Sequence, residues 1–144
     1  MKKKNGLIIA SHGYFANEAL NSVKMISGDI DEEIIRTYSM TLGKDLDTVV
    51  EEINDEILNL SRSVENVYLF TDLMGGTPSN ASITNSLNHS ELNINVVNGF
   101  NLPLLLSFVL NINNDIDIDF LLEEAKLAII KVNKIGRASC RERV

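Results

Sequence analysis

Short apolar runs alternate along the chain with longer stretches of helical periodicity. Leu7-Ile8-Ile9-Ala10 is a continuous apolar run, the pattern of a strand buried on both faces. Beyond it Ala16, Ala19, Leu20, Val23 and Ile26 recur at helical spacing, and Gly28 is a natural stop. Ile34–Tyr38 predicts a second strand. From Lys44 to Leu60, a helix places Leu46, Val49, Val50, Ile53, Ile57 and Leu60 on one face, with Glu51, Glu52, Asp55 and Glu56 largely on the other. Val67–Phe70 predicts the third strand. A helix follows from Pro78 to about Leu87, with Pro78 at its first position and Thr77 as its N-cap. Leu92–Val97 predicts the fourth strand and Pro103–Leu110 a short apolar helix. Asp119 caps a last helix to about Ala128, and Ile129–Val132 reads as a terminal strand.

Strands that alternate with helices predict an α/β fold with a parallel sheet and helices on both faces. Right-handed crossovers in a doubly wound, flavodoxin-like order 2-1-3-4 place the first strand in the interior. The switch point then falls between strands one and three, and ligands are expected outside the carboxyl ends of those strands. No internal repeat or linker interrupts the pattern, so one domain is expected over residues 1–134.

Composition narrows the classes. The 144 residues are 44% hydrophobic and 23% charged, enough for a core and against disorder. Thirteen Lys and Arg stand against 20 Asp and Glu, a formal net charge of −7. Nucleic acid and anionic membrane both call for a cationic footprint, so neither is an expected partner. No apolar run approaches the roughly 20 residues of a membrane-spanning helix. Lys2–Lys4 precede an apolar stretch too short for a signal peptide. A cytoplasmic protein is the expectation. Cys140, the single cysteine, rules out an internal disulfide framework and a multi-cysteine metal site. Asp115, Asp117 and Asp119 imitate a calcium-loop spacing, but the glycine and terminal glutamate of such a loop are missing, so no metal is expected.

Two loops meet at the switch point. One reads Ser11-His12-Gly13; the other runs from Asp72 through Gly75-Gly76-Thr77-Pro78-Ser79. A carboxylate at Asp72 accepting from one ring nitrogen of His12 fixes the tautomer and leaves the other nitrogen's lone pair outward. An oriented imidazole is a nucleophile or general base. Gly75 and Gly76 permit close backbone approach at a helix start, where free N–H groups and the dipole favour an anion. Thr77 or Ser79 supplies a hydroxyl. A nucleophilic histidine, an orienting aspartate and an anion cradle together describe a phosphohistidine site without cofactor. The glycines are no P-loop, because no Gly-Lys-Ser/Thr follows. Phe15 and Met74 flank the loops and are read as packing residues, and His89 as a loop or helix-end residue. A Ser11–His12 hydrolase pair is disfavoured, since successive strand-end side chains diverge.

The strings LIIASHGYFANEAL, LFTDLMGGTPSNAS and NVVNGFNLPLLLSFV resemble the EIIA domain of the mannose family of the bacterial phosphoenolpyruvate:sugar phosphotransferase system, over most of residues 6–133. The resemblance implies that His12 takes a phosphoryl group at Nε2 from the phosphohistidine of HPr and passes it to a IIB domain. Asp72 matches the family's histidine-pairing carboxylate and Thr77 its hydroxyl donor. The membrane components IIC and IID are indirect partners, and sugar choice rests with them. The family is a homodimer that exchanges a C-terminal antiparallel strand, which maps to Ile129–Val132.

Two departures accompany the resemblance. Ser79 stands where some members carry an aromatic residue, with an altered partner surface as the expectation. After Asn133 the sequence no longer looks like the family. Residues 136–144 read GRASCRERV, rich in arginine where upstream basic residues are mostly lysine, and residues 135–144 are read as a non-native tail. Two rival functions use the same histidine: a dihydroxyacetone-kinase phosphotransfer subunit, and a regulatory module whose phosphorylation state a partner reads.

Overall fold

A computed structural model describes residues 1–133. The tail reading of residues 135–144 therefore lies outside the described residues. The elements in chain order are β1 (Lys3–His12), α1 (Phe15–Ser27), β2 (Ile35–Met40), α2 (Leu46–Ser61), β3 (Val64–Thr71), α3 (Thr77–Asn88), β4 (Asn93–Asn98), α4 (Leu102–Leu110) and α5 (Ile118–Leu127). Four parallel strands form one sheet in the order β2-β1-β3-β4, as the alternation predicts. Helix α1 packs against α4, and α4 against α5; α2 packs against α3.

The apolar run of β1 is its central part only. Leu7, Ile8, Ile9 and Ala10 are wholly buried, because both faces of this interior strand are covered. The ladder extends beyond the run at both ends, from Lys3 opposite Val64 to His12 opposite Met40. Burial itself runs from Asn5 to Ser11 and pairing continues past it, so the apolar run understates both the covered portion and the strand's length.

Helix α1 buries Ala16, Leu20 and Val23 and ends at Gly28, whose N–H donates to the Lys24 carbonyl. Helix α2 buries Val49, Ile53, Ile57 and Leu60 and is capped by Asp45, which accepts from the Thr48 N–H. Leu46, assigned to that face by periodicity, is exposed in the first turn. Phe108 of α4 is fully buried and meets Tyr68 and Phe70 of β3 edge to face, at centroid distances of 4.8 and 5.0 Å. Such a contact adds to the area the rings bury.

Opposite the carboxyl end, Asn5, Asn66 and Asn93 stand level across β1, β3 and β4. The Asn66 amide donates to Asn5 Oδ1, and the Asn93 amide to Asn66 Oδ1. Buried Asn5 donates to the carbonyls of Ile112 and Asn114, each at 2.8 Å. This chain ties the loop after α4 to the amino end of the sheet and satisfies amides that burial would otherwise penalise.

Two expectations about helix caps are corrected. Gly76, not Thr77, occupies the N-cap of α3; Thr77 is already helical, and Pro78 follows it. Asp117, not Asp119, caps α5, accepting from the Phe120 N–H at 3.2 Å. Ile129–Val132 joins no ladder in the single chain and leaves Ile129, Ile130 and Val132 exposed. A strand exists only with a neighbour to bond, and no described strand of the same chain pairs with this segment.

Phe108→Ala is expected to lower stability by about 3–5 kcal/mol, the range for emptying an aromatic site in a packed core. Urea unfolding followed by circular dichroism measures it, with native secondary structure retained in buffer.

Candidate functional site

The two central strands, β1 and β3, end side by side, and their connections leave toward opposite sheet faces. Ala10 pairs with Thr71 in the ladder. Asp72, the first residue past β3, therefore stands beside the last residues of β1. Its Oδ2 accepts from the backbone N–H of His12 at 2.9 Å and lies 2.9 Å from His12 Nδ1. One carboxylate oxygen thus fixes both the main chain and the ring of the histidine. The other, Oδ1, is buried with no partner among the described residues.

The turn that carries Asp72 is itself anchored. The Thr71 hydroxyl donates to Asn98 Oδ1 at 2.5 Å, and the Thr71 carbonyl accepts from the N–H groups of Gly99 and Phe100. The sequence reading missed this support. Its signal is a threonine closing an apolar strand level with an asparagine closing the next.

An ionised carboxylate only accepts, so the proton of a neutral His12 ring belongs on Nδ1, and Nε2 keeps its lone pair. The side chain is 43% exposed, against 12% for Asp72. Ser11 diverges from it as expected: it is buried, and its hydroxyl accepts from the Ala16 N–H at 2.8 Å and donates to the Gly13 carbonyl at 3.3 Å. It closes the turn into α1 and is no nucleophile.

The start of α3 lies against the far edge of the ring. A Cβ built on Gly76 would stand 2.7 Å from His12 Cε1 and 3.4 Å from Nε2. The Gly76 N–H itself is used, donating to the Leu73 carbonyl at 3.1 Å. Past it, no side chain caps the helix, and Pro78 has no N–H. The Thr77 and Ser79 N–H groups are therefore the donors of the first turn that helical bonding leaves open. They lie at the positive end of the helix dipole, in the turn that follows Gly76 beside the ring. Gly75 is exposed, turns the chain at φ +82°, and accepts from the Asn80 amide at 3.3 Å.

The remaining predicted residues separate. Thr77 is half-buried at the helix start. The Ser79 side chain is fully buried, and its hydroxyl has no partner among the described residues. Its side chain is thus withdrawn from the surface of the single chain, and its backbone N–H belongs to the open turn. His89 ends α3 at the opposite pole, between Asn54 and Glu91, with no part in the site.

Among the loops that follow the strands, Lys44 is the sole lysine or arginine. Its ammonium is committed to Glu52 Oε1 at 2.7 Å and lies 5.4 Å from the centroid of the Tyr38 ring. The Tyr38 hydroxyl donates to the same oxygen, and burial raises its pKa. Among the described residues of these loops, the groups open to an anion are therefore helix-end N–H groups and the Thr77 hydroxyl, not a free ammonium.

At this end of the sheet the loops expose Tyr14, Leu42, Leu73 and Met74, and α1 exposes its first residue, Phe15. Phe15 is only partly a packing residue, stacked on Phe100 at 5.3 Å. Met74, read as packing from sequence, is 80% exposed. It stands at the tip of the β3–α3 loop, past the end of the sheet.

A family model described as the PTS system fructose IIA component, EIIA-man, matches residues 6–126. The PTS IIA protein associated with the fucose utilization operon of Streptococcus pneumoniae is similar in structure, with a TM-score of 0.84 and 27% identity over 90% of this chain and 94% of that one. The mannose/sorbose-specific IIA subunit from Enterococcus faecalis has a TM-score of 0.75 and 28% identity over 92% and 96%. A sigma-54 interaction domain protein from Enterococcus faecalis shares the fold at 14% identity, with a TM-score of 0.70 over 99% and 98%. The family match runs from the central strand β1 into α5, through both loops of the site, and the chain accordingly belongs to the EIIA-man family of phosphotransferase-system IIA components.

Proposed function

We propose that His12 is the phosphoryl carrier of this IIA component. The observation behind it is the Asp72–His12 Nδ1 contact, which leaves Nε2 as the free nucleophile beside the start of α3. In the transfer, the Nε2 lone pair attacks the phosphorus of a phosphohistidine on HPr. The donor's P–N bond breaks and its imidazole departs with that electron pair. A new P–N bond at Nε2 makes the His12 ring cationic, and Asp72 stabilises that charge. Thr77, through hydroxyl and N–H, and the Ser79 N–H receive the equatorial oxygens. The reverse step delivers the group to a IIB domain and from there to the transport of sugar through IIC and IID, in the cytoplasm.

Two features support protein partners in this role. Passing phosphorus between imidazoles requires two faces to meet and exclude water, and an exposed apolar rim around His12 suits that. A net charge of −7 favours encounter with a basic donor face. We also propose a homodimer in which Ile129–Val132 of each subunit pairs as an antiparallel strand with the other, supported by the exposed, unladdered apolar residues of that segment.

Incubation with phosphoenolpyruvate, enzyme I and HPr is expected to leave one acid-labile phosphoryl group per chain, and none in His12→Ala. Label that survives this substitution sinks the proposal. Presenting the labelled protein to a IIB domain and, separately, to a dihydroxyacetone kinase distinguishes the transport role from its rival.

Asp72→Asn is expected to lower kcat/KM for transfer by about 100-fold, because an amide can donate to Nδ1 and select the wrong tautomer. Thr77→Val, which keeps the shape and removes the hydroxyl, is expected to cost about tenfold, the worth of one hydrogen bond to a charged group. Stopped-flow quench with labelled HPr measures both.

Ile129→Asp combined with Ile130→Asp is expected to halve the mass seen by analytical ultracentrifugation. An unchanged dimer refutes the exchanged strand.

A further inference from the structure

We propose that Gly76 is a positioning residue for His12: the side chain it lacks is the space that the Cε1 edge of the imidazole fills. The two adjacent glycines serve different ends. Gly75 sits at φ +82°, where a side chain is strained, yet a Cβ there would meet nothing within 4 Å. Gly76 sits at φ −76° and ψ 167°, ordinary extended backbone open to any residue. Its Cβ would nonetheless lie 2.7 Å from His12 Cε1, 3.2 Å from the Leu73 carbonyl oxygen and 3.4 Å from His12 Nε2.

The conflict at residue 76 falls chiefly on the ring. The Leu73 oxygen is backbone in the same turn, held by the Gly76 N–H. The imidazole is the movable neighbour. It is fixed at Nδ1 by Asp72, and Cε1 is the next atom round the ring, so carboxylate and glycine clamp adjacent edges. A methyl group at residue 76 drives Cε1 away and pulls Nδ1 off Asp72. The glycine thus sets the rotation of the ring and the approach of α3 through one contact.

This inference rests on the reading of His12 as carrier only for its rate consequence. The geometric part is tested on the full chain by long-range proton–nitrogen NMR of the imidazoles at alkaline pH. The wild type is expected to hold His12 in the Nδ1–H tautomer. Gly76→Ala is expected to give a mixture with the Nε2–H form, with kcat for phosphoryl transfer from HPr down at least tenfold and KM for HPr changed less than twofold. A wild-type tautomer and rate in Gly76→Ala overturn the proposal.

Should that variant fail to fold, the unaltered protein decides. A nuclear Overhauser effect between His12 Hε1 and the Gly76 α-proton that a Cβ would replace is expected, and its absence overturns the contact. Failure of the carrier reading looks different: no label on His12, with the tautomer shift in Gly76→Ala intact.

Discussion

Everything at the carboxyl end depends on the register between β1 and β3. Ala10 opposite Thr71 brings Asp72 beside the His12 backbone N–H and ring together. Because side chains alternate faces, a slip of one residue would send His12 inward and bring Ser11 out. The register is specified by the runs themselves: Leu7–Ala10 against Tyr68–Thr71 puts wholly or nearly wholly buried residues opposite one another between two layers of helix. At the far end Asn5 opposite Asn66 reinforces it, since an amide pair has one alignment where aliphatic side chains tolerate several. The core thereby sets the distance between two residues far apart in sequence.

The central frame was legible because its signals are strong and local. Continuous apolar runs marked the interior strands, helical periodicity marked α1 and α2, and the alternation gave the sheet order. That order placed His12 and Asp72 at one point before any distance was known. Helix α3 was harder. Its buried face consists of Pro78, Ser79, Ala81, Ser82 and Asn85, small or polar residues that carry no hydrophobic period. They are accommodated by hydrogen bonds invisible to a pattern: Ser82 donates to the Pro78 carbonyl, and Asn85 to the carbonyls of Val50 and Ala81. Ser79 is fully buried among them, which no hydrophobic pattern signals. The caps slipped by one or two residues because Gly76 and Thr77, or Asp117 and Asp119, are alternative cap formers in the same loop, and only backbone angles choose between them. Ile129–Val132 read as a strand on composition, while pairing depends on a neighbour.

Among the described residues, the strand-end loops offer the site no uncommitted cation. Lys44, the basic residue of the strand-end loops, is tied down by Glu52 and Tyr38. A fixed ammonium near Nε2 would hold a phosphate tightly, which suits a terminal acceptor and hinders one that must give the group away. In the proposed site, helix-end N–H groups hold the oxygens through partial charges that do not grow as the group leaves. In the proposed relay, modest binding on both sides of the transfer keeps the step reversible.

Asp72 is the costly element of this arrangement. It is largely buried, and the contacts of its Oδ2 both go to His12, while Oδ1 has none among the described residues. A carboxylate in such a place is poorly compensated as long as the ring opposite is neutral. In the proposed transfer, a phosphoryl group at Nε2 makes the ring cationic and turns the carboxylate's hydrogen bond to Nδ1, 2.9 Å long, into an ion pair. In that proposal the aspartate favours the phosphorylated ring over the free one through this pair. That benefit exists only with the ring held flat against both neighbours, carboxylate on one edge and Gly76 on the next. The position with no side chain is thus as much a determinant of the electrostatics as the position with a charge.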